Sequence, residues 1–150
     1  MNLKERIEGD LKAAMLAKEA AIVTVLRGVK AAILDEEVAT GKREKGLTDR
    51  EIEALVAKEI KRRREAIAMY EATGRGDLVE SEKFEQEILE KYLPEQLSEG
   101  EVKEKIDEVL AGLEEGEARN VGMVIGKVKM LLGNSADGAT VAKLVKEKIQ

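Results

Sequence analysis

The chain has 150 residues and contains no cysteine and no histidine, which excludes disulfides, thiolate or imidazole metal sites and any catalytic relay through these side chains. Its net charge is −5 and 38% of its residues are charged. This composition favours a folded, soluble protein and argues against a general nucleic-acid coat. Because the chain has no long apolar run and its charged N-terminus lacks a secretory pattern, we predict no membrane segment and a location in the cytoplasm.

The N-terminal part of the chain predicts four helices. Apolar residues recur at steps of three and four, which is the period of an amphipathic helix, and no segment is typical of a strand. The predicted helices begin at Asn2, at residue 20, at Thr48 and at Asp77, and Gly41 is placed to end the second one. The pairs that form capping boxes are Asn2 with Glu5, Thr48 with Glu51 and, further on, Ser98 with Glu101. The inward positions predicted for the second helix are Ile22, Leu26, Val29, Ile33 and Val38.

Pro94, the only proline, sets the predicted domain boundary because it cannot continue a helix and favours extended geometry at Leu93. We expect a helical N-terminal domain at residues 1–93 and a three-helix C-terminal domain at residues 98–150. The last two helices are predicted at 121–132 and after Asp137, which is placed to cap the final helix. The sequence therefore predicts an all-α protein with about four helices followed by three.

Arg63 lies on the apolar face of the third predicted helix, three residues after Ile60 and four before Ile67. An arginine in this position either extends its charged end to solvent or meets a carboxylate, and we predict a structural ion pair between Arg63 and Glu36 or Glu37. The basic residues near it are expected to face solvent: Lys61, Arg62 and Arg64. The three aromatic side chains fall on or beside apolar faces and are expected in the core: Tyr70, Phe84 and Tyr92.

Charge is unevenly distributed in the C-terminal part. Residues 98–117 contain two lysines and eight acids, whereas residues 118–150 contain six basic residues and two acids. A local cationic surface attracts phosphates. Alternatively, lysines near helix C-termini interact favourably with the helix dipole and keep the surface solvated. The candidate RNA-binding residues are Arg119, Lys127, Lys129, Lys143 and Lys146. Lys146 and the further basic residue Lys148 also fit the dipole interpretation well.

Several segments together resemble the GatB/YqeY family, whose YqeY-like proteins are stand-alone relatives of the tail of GatB, a component of the tRNA-dependent amidotransferase. They include Thr24-Val25-Leu26-Arg27 and the basic stretch 58–67. The most specific is Tyr92-Leu93-Pro94-Glu95-Gln96-Leu97-Ser98, and the last is Ala136-Asp137-Gly138. The resemblance covers nearly the whole chain and implies a helical N-terminal domain joined to a three-helix domain.

The resemblance also implies a role near tRNA, because the related tail helps to recognise the tRNA body in the enzyme that amidates Glu-tRNA(Gln) or Asp-tRNA(Asn). Implied partners are tRNA and components of the amidotransferase or of aminoacyl-tRNA synthetases, but neither DNA nor a membrane. One departure bears on this role. Where the family often reads Gly-Arg-Ala-Asp-Gly, the segment 133–138 is one residue longer at Asn134-Ser135 and lacks the arginine, which removes a potential phosphate contact.

No catalytic, cofactor or metal motif is recognisable, because the chain has no phosphate-binding glycine loop, nucleophile elbow or calcium-loop spacing. Neighbouring acids on a helix do not face each other, so they favour solvated charge. We predict a non-catalytic accessory module that binds tRNA or the amidation machinery. The alternatives are a protein–protein adaptor without RNA binding and, least favoured, an amidotransferase acting alone.

Overall fold

The computed structural model describes all 150 residues and contains eight α-helices, one 3-10 turn and no strand. The all-α prediction is confirmed. None of the helices has the length and apolar content needed to cross a membrane. The elements are α1 (Leu3–Leu16), α2 (Ala20–Ala39), α3 (Asp49–Ala72), α4 (Gly76–Glu90), α5 (Glu99–Ala111), α6 (Glu115–Ala118), α7 (Val121–Leu132), the 3-10 turn (Gly133–Ser135) and α8 (Gly138–Ile149).

The chain divides into two compact units, Met1–Leu93 and Pro94–Gln150. In the N-terminal unit, helices α1 to α4 enclose one apolar core that includes Ile7, Leu26 and Ile52. In the C-terminal unit, helices α5, α7 and α8 enclose a second core that includes Ile106, Val128 and Val145. Whether residues 1–93 and 98–150 fold as independent domains stays a prediction.

The predicted helix starts are largely confirmed. Complete capping boxes are present at Thr48 with Glu51 and at Ser98 with Glu101. Asn2 accepts a hydrogen bond from the N–H of Glu5 at 2.8 Å, which is one half of the predicted box. Gly41 has a φ of +71° directly after the end of α2, the left-handed geometry expected of a glycine that ends a helix.

Two elements differ from the predictions. The residue before α4 is Arg75, whose carbonyl accepts from the N–H groups of Leu78 and Val79. Asp77 therefore lies inside the first turn, where its charge suits the helix dipole, and does not cap the helix. The short helix α6 was not predicted, because its four residues are too few to show an apolar period.

The inward face of α2 departs from the prediction at its C-terminal end. Glu37 is 1% exposed, whereas Val38 is 65% exposed. Glu37 lies four residues after the buried Ile33 and so continues the apolar face, which Val38 leaves. A buried carboxylate requires compensation, and Glu37 accepts from Lys4 Nζ at 3.0 Å and from the N–H of Leu47 at 3.3 Å.

The predicted ion pair between Arg63 and Glu36 or Glu37 is wrong. Arg63 lies 2.6 Å from a carboxylate oxygen of Glu59 on its own helix and 3.8 Å from one of Glu85 on α4. Its face of α3 packs against α4, while Glu37 is satisfied by other residues. Burial raises the pKa of Glu85, as does the neighbouring Glu82, whereas Arg63 lowers it.

The neighbouring lysine and arginines are exposed as predicted, namely Lys61, Arg62 and Arg64. Among the aromatic residues, Tyr92 is buried and Tyr70 is half-buried, but Phe84 is 44% exposed. The buried positions of α4 are Val79, Ile88 and Leu89, and Phe84 lies off the helix face that these residues define. The core assignment of Phe84 is therefore wrong.

Tyr92 connects the end of α4 to α1. Its hydroxyl donates to Asp10 Oδ2 at 2.6 Å. The guanidinium of Arg6 lies 4.9 Å from the ring centre and donates to the Lys91 carbonyl at 2.8 Å. Burial and the hydrogen bond to Asp10 raise the pKa of the Tyr92 hydroxyl above its usual range. The first residue of the Tyr-Leu-Pro segment therefore stabilises the N-terminal unit.

Replacing Tyr92 by Phe removes this hydrogen bond to a carboxylate while keeping the ring. We expect the free energy of unfolding to fall by about 1–2 kcal/mol, measured by urea unfolding followed by circular dichroism. The matched control is Tyr70→Phe, because the Tyr70 hydroxyl makes no hydrogen bond. Equal effects of the two substitutions would contradict the role assigned to the Asp10 contact.

Glu51 makes the stability of the N-terminal unit depend on pH. Lys42 donates to its carboxylate, and the N–H of Thr48 donates at 3.0 Å. These bonds lower the pKa of Glu51 from 4.5 to about 2. A carboxyl group whose pKa is lower in the folded state stabilises the protein at pH values above its unfolded-state pKa. This stabilisation is lost as the pH falls towards the folded-state pKa.

We therefore expect Glu51→Gln to lower the free energy of unfolding at pH 6. The difference in this free energy between the variant and the wild type should shrink between about pH 4.5 and pH 2. Urea midpoints measured across this range give the test. Glu44→Gln is the control, since Glu44 is an exposed residue of the preceding loop. A difference that stays constant across the window would show that the Glu51 carboxylate does not carry this dependence.

Candidate nucleic-acid interface

The candidate interface is built on α7 and α8, whose starts are fixed by side-chain caps. Asn120 accepts from the N–H of Met123 at 3.1 Å, and Asp137 accepts from the N–H of Thr140 at 3.2 Å. The predicted cap at Asp137 is confirmed. The two helices bury one face each against α5, with Val124 and Val128 from α7 and Val145 from α8 fully covered. This packing leaves the intervening positions for charged residues.

The loop between α7 and α8 is held by the segment that begins the C-terminal unit. Gln96 Nε2 donates to the carbonyls of Asn134 and Pro94, each at 2.8 Å, and the N–H of Leu97 donates to the Ser135 carbonyl at 2.9 Å. The loop between α7 and α8 is therefore held by hydrogen bonds from Gln96 and Leu97 to its backbone carbonyls.

Lys143 and Lys146 share the outward face of α8. They are three residues apart and exposed, while Val141, Leu144 and Val145 are buried on the opposite side. Residues three apart are neighbours on a helix surface, so these two ammonium groups present charge in the same direction. Neither forms an ion pair.

Lys127 and Lys129 are also exposed and unpaired, but they lie on different sides of α7. They flank the buried Val128, one before it and one after it, so helical geometry turns them apart. Lys129 lies close to the start of α8, because a Cβ added at Gly138 would be 3.4 Å from its Nζ. The four free lysines thus form one pair on α8 and two separate positions on α7.

The remaining basic residues are already paired. Arg119 lies 2.8 Å from Glu115 four residues before it, and Lys148 lies 3.0 Å from Asp107 of α5. Both pairs are exposed and hence weak, but they reduce the positive charge offered to a ligand. All three aromatic residues, Tyr70, Phe84 and Tyr92, belong to the N-terminal unit. The C-terminal unit therefore has free cationic side chains but no ring on which a base would stack.

Sequence reasoning missed a second charged site, in the N-terminal unit. Buried Glu37 lies 3.0 Å from Lys4 Nζ and 3.6 Å from Arg43 Nη1. The signal was available, because Glu37 follows Ile33 by four residues and therefore falls on the inward face of α2. No group of three or more acidic side chains is arranged to hold a metal ion.

A model of the YqeY-like protein family matches residues 4–149. The chain belongs to the YqeY-like family. The resemblance found in the sequence is thereby confirmed over almost the full length. Family membership gives the fold and its sequence motifs, and the site residues of this YqeY-like protein remain to be argued from its own geometry.

Several fungal proteins named "Altered inheritance of mitochondria protein 41, mitochondrial" are similar to this YqeY-like chain. The one from Pyrenophora tritici-repentis is 31% identical over 147 residues, covering 96% of this chain and 79% of the relative. Those from Kluyveromyces lactis and Lachancea thermotolerans are 36% and 35% identical, over 81% and 76% of this chain. The chain spans 66% and 59% of these two relatives.

These names contradict the predicted cytoplasmic location, since the relatives are named as mitochondrial proteins. The prediction was wrong because it rested on the absence of two signals, a secretory pattern and a membrane-spanning run. Those signals separate secreted and membrane proteins from the rest. They do not distinguish the cytoplasm from the interior of an organelle.

The cap at Asp137 gives a structural role to the Ala-Asp-Gly motif that precedes α8. Asp137→Ala removes the acceptor of the Thr140 N–H and should destabilise α8 by about 1 kcal/mol. Asp137→Asn keeps an acceptor and should cost much less. Hydrogen exchange of the α8 amides, measured by mass spectrometry, compares the two. Equal exchange rates of the α8 amides in the two variants would contradict a capping role for Asp137.

Proposed function

We propose that this YqeY-like protein is a non-catalytic accessory module that binds folded RNA, with tRNA as the favoured ligand, through the lysines of its last two helices. The observation that carries the proposal is the pair Lys143 and Lys146, which are exposed, unpaired and on one face of α8. Phosphates bind such groups with release of counterions. The surrounding segment, residues 118–150, has a net charge of +4, whereas the whole chain has a net charge of −5.

The form of recognition follows from what the C-terminal unit contains. Four free lysines offer point charges to phosphates, and the unit has no aromatic ring. Sequence-specific reading of single-stranded RNA depends on stacking and on base-edge hydrogen bonds. The proposed binding is therefore to the backbone of a structured RNA, and specificity for a particular RNA would come from its shape or from a second protein.

The choice of tRNA rests on the resemblance to the tail of GatB in the tRNA-dependent amidotransferase. Components of the amidotransferase or of aminoacyl-tRNA synthetases are the corresponding protein partners in this proposal. A second candidate function, docking of a partner protein, is favoured by a separate observation, a groove in the N-terminal unit whose lining includes Lys4, Arg27, Lys30 and Arg43.

The proposal predicts salt-dependent tRNA binding that depends on the α8 pair. We expect Lys143→Glu/Lys146→Glu to lower the affinity for tRNA about tenfold or more. The slope of log affinity against log salt concentration should fall by the equivalent of about two phosphate contacts. Fluorescence-anisotropy titrations of tRNA between about 50 and 200 mM salt measure both quantities.

The matched control is Lys103→Glu/Lys105→Glu, which makes the same change in net charge on the acidic helix α5. It should leave the salt dependence unchanged and reduce the affinity only slightly. If both double variants lose the same affinity, binding follows net charge and the α8 pair has no special role. If the wild type shows no binding at low salt, the RNA function itself is wrong.

A further inference from the structure

A groove of about 330 Å³ lies in the N-terminal unit between α1, α2 and the loop that follows α2. The charged side chains along it are predominantly basic. Four cations contribute, Lys4 from α1, Arg27 and Lys30 from α2, and Arg43 from the loop, against Glu8 and the buried Glu37. The groove therefore has a balance of +2, opposite in sign to the net charge of the whole chain.

Glu37 fixes two of these cations in place. Its carboxylate accepts from Lys4 Nζ at 3.0 Å and lies 3.6 Å from Arg43 Nη1. The hydrogen bond from Lys4 lowers the pKa of Glu37, and the bond from the Leu47 N–H acts in the same direction against the effect of burial. One ionised carboxylate thus holds two cations, which leaves an excess positive charge at this end of the groove.

Arg27 and Lys30 extend the cationic surface along α2. Both are exposed, and neither forms an ion pair with a carboxylate. They are three residues apart, so they lie side by side on the helix surface. Their charges are available to a ligand without breaking an internal contact.

The same face of α2 carries exposed apolar residues. Ala31 and Leu34 line the groove, and Val38, four residues after Leu34, extends this row of apolar residues along α2. Leu34 is 41% exposed and Val38 65%. The spacing from Arg27 through Ala31, Leu34 and Val38 follows one helical face. The groove thus joins the apolar side chains of Ala31 and Leu34 to basic residues, and the acidic Asp35, which is also exposed on α2, is not among the residues that line it.

We propose that this groove docks an acidic amphipathic helix of a partner protein. A helix lying in a groove between two helices uses apolar anchors spaced by three and four residues, which matches the apolar row on α2. Acidic residues on the flanks of the incoming helix would meet Arg27, Lys30, Lys4 and Arg43. Charge complementarity of this kind governs the rate of encounter and the choice of partner.

An acidic helix fits this surface better than RNA does. Leu34 and Ala31 offer apolar contact that a phosphate backbone does not use. Glu8 would repel phosphates, whereas a peptide can place a neutral or basic residue there. The groove belongs to the N-terminal unit and the lysines of α7 and α8 belong to the C-terminal unit, so the docking proposal rests on different residues from the RNA proposal.

The test uses the full chain and a synthetic helical peptide of about 18 residues, with leucines at i, i+4 and i+7 and glutamates on both flanks. We expect micromolar binding by calorimetry, lowered at least tenfold by Arg27→Glu/Lys30→Glu. The matched control, Lys58→Glu/Lys61→Glu, makes the same charge change at exposed positions of α3 and should alter the affinity less than threefold. Circular dichroism confirms that both variants are folded.

The apolar contribution is tested separately. Leu34→Ala should weaken peptide binding about fivefold, whereas Met69→Ala, at an exposed position of α3, should have no effect. A peptide with lysines in place of the glutamates should not bind. Absence of binding by the acidic peptide, equal losses in the two charge variants, or displacement of the peptide by tRNA would each overturn the proposal.

Failure here is distinguishable from failure of the RNA proposal. Lys143→Glu/Lys146→Glu leaves the groove intact and should bind the acidic peptide as the wild type does. Arg27→Glu/Lys30→Glu leaves the α8 lysines intact and should keep the salt dependence of tRNA binding. Loss of both activities in either variant would contradict two independent sites.

Discussion

The N-terminal unit is organised around a buried, ionised carboxylate. Glu37 occupies a core position on α2 and is 1% exposed, an arrangement that is unfavourable unless every bond to the carboxylate is made. The bonds come from α1, through Lys4, and from the loop after α2, through the N–H of Leu47. Gly46 belongs to the same arrangement, because a Cβ there would lie 3.5 Å from the carboxylate and its φ is +79°. The path of the loop and the positions of Lys4 and Arg43 are both tied to this one charge.

Local signals made much of the fold predictable. Each capping box involves residues three apart, so the short segment from Thr48 to Glu51 contains all the information about where α3 begins. The buried faces of α5, α7 and α8 follow the apolar period in the same way. The start of α4 was predicted wrongly, because the backbone begins the helix after Arg75, whose side chain makes no capping bond, and not at the capping type of residue Asp77.

Contacts between helices were less predictable, because they depend on which faces meet. Arg63 was correctly placed on an inward face, but that face packs against α4 and its partners are Glu59 and Glu85. The candidate interface shows the same limit. A count of charges along the sequence identified the basic segment, but it could not show that Arg119 and Lys148 are paired or that Lys127 and Lys129 lie on different sides of α7. Likewise, the groove joins residues as distant as Lys4 and Arg43, which no local pattern connects.

The Glu37 arrangement also constrains how this sequence can drift over generations. Exchanging Lys4 for a neutral residue would deprive a buried carboxylate of its hydrogen-bonded cation, whereas exchanging Glu37 would leave Lys4 and Arg43 in contact with solvent. Loss of Lys4 alone is therefore the harmful change, and a simultaneous switch of both sites to apolar residues of similar volume can be tolerated. Positions 4 and 37, 33 residues apart in the chain, are therefore expected to covary as a linked pair in any lineage that keeps this loop.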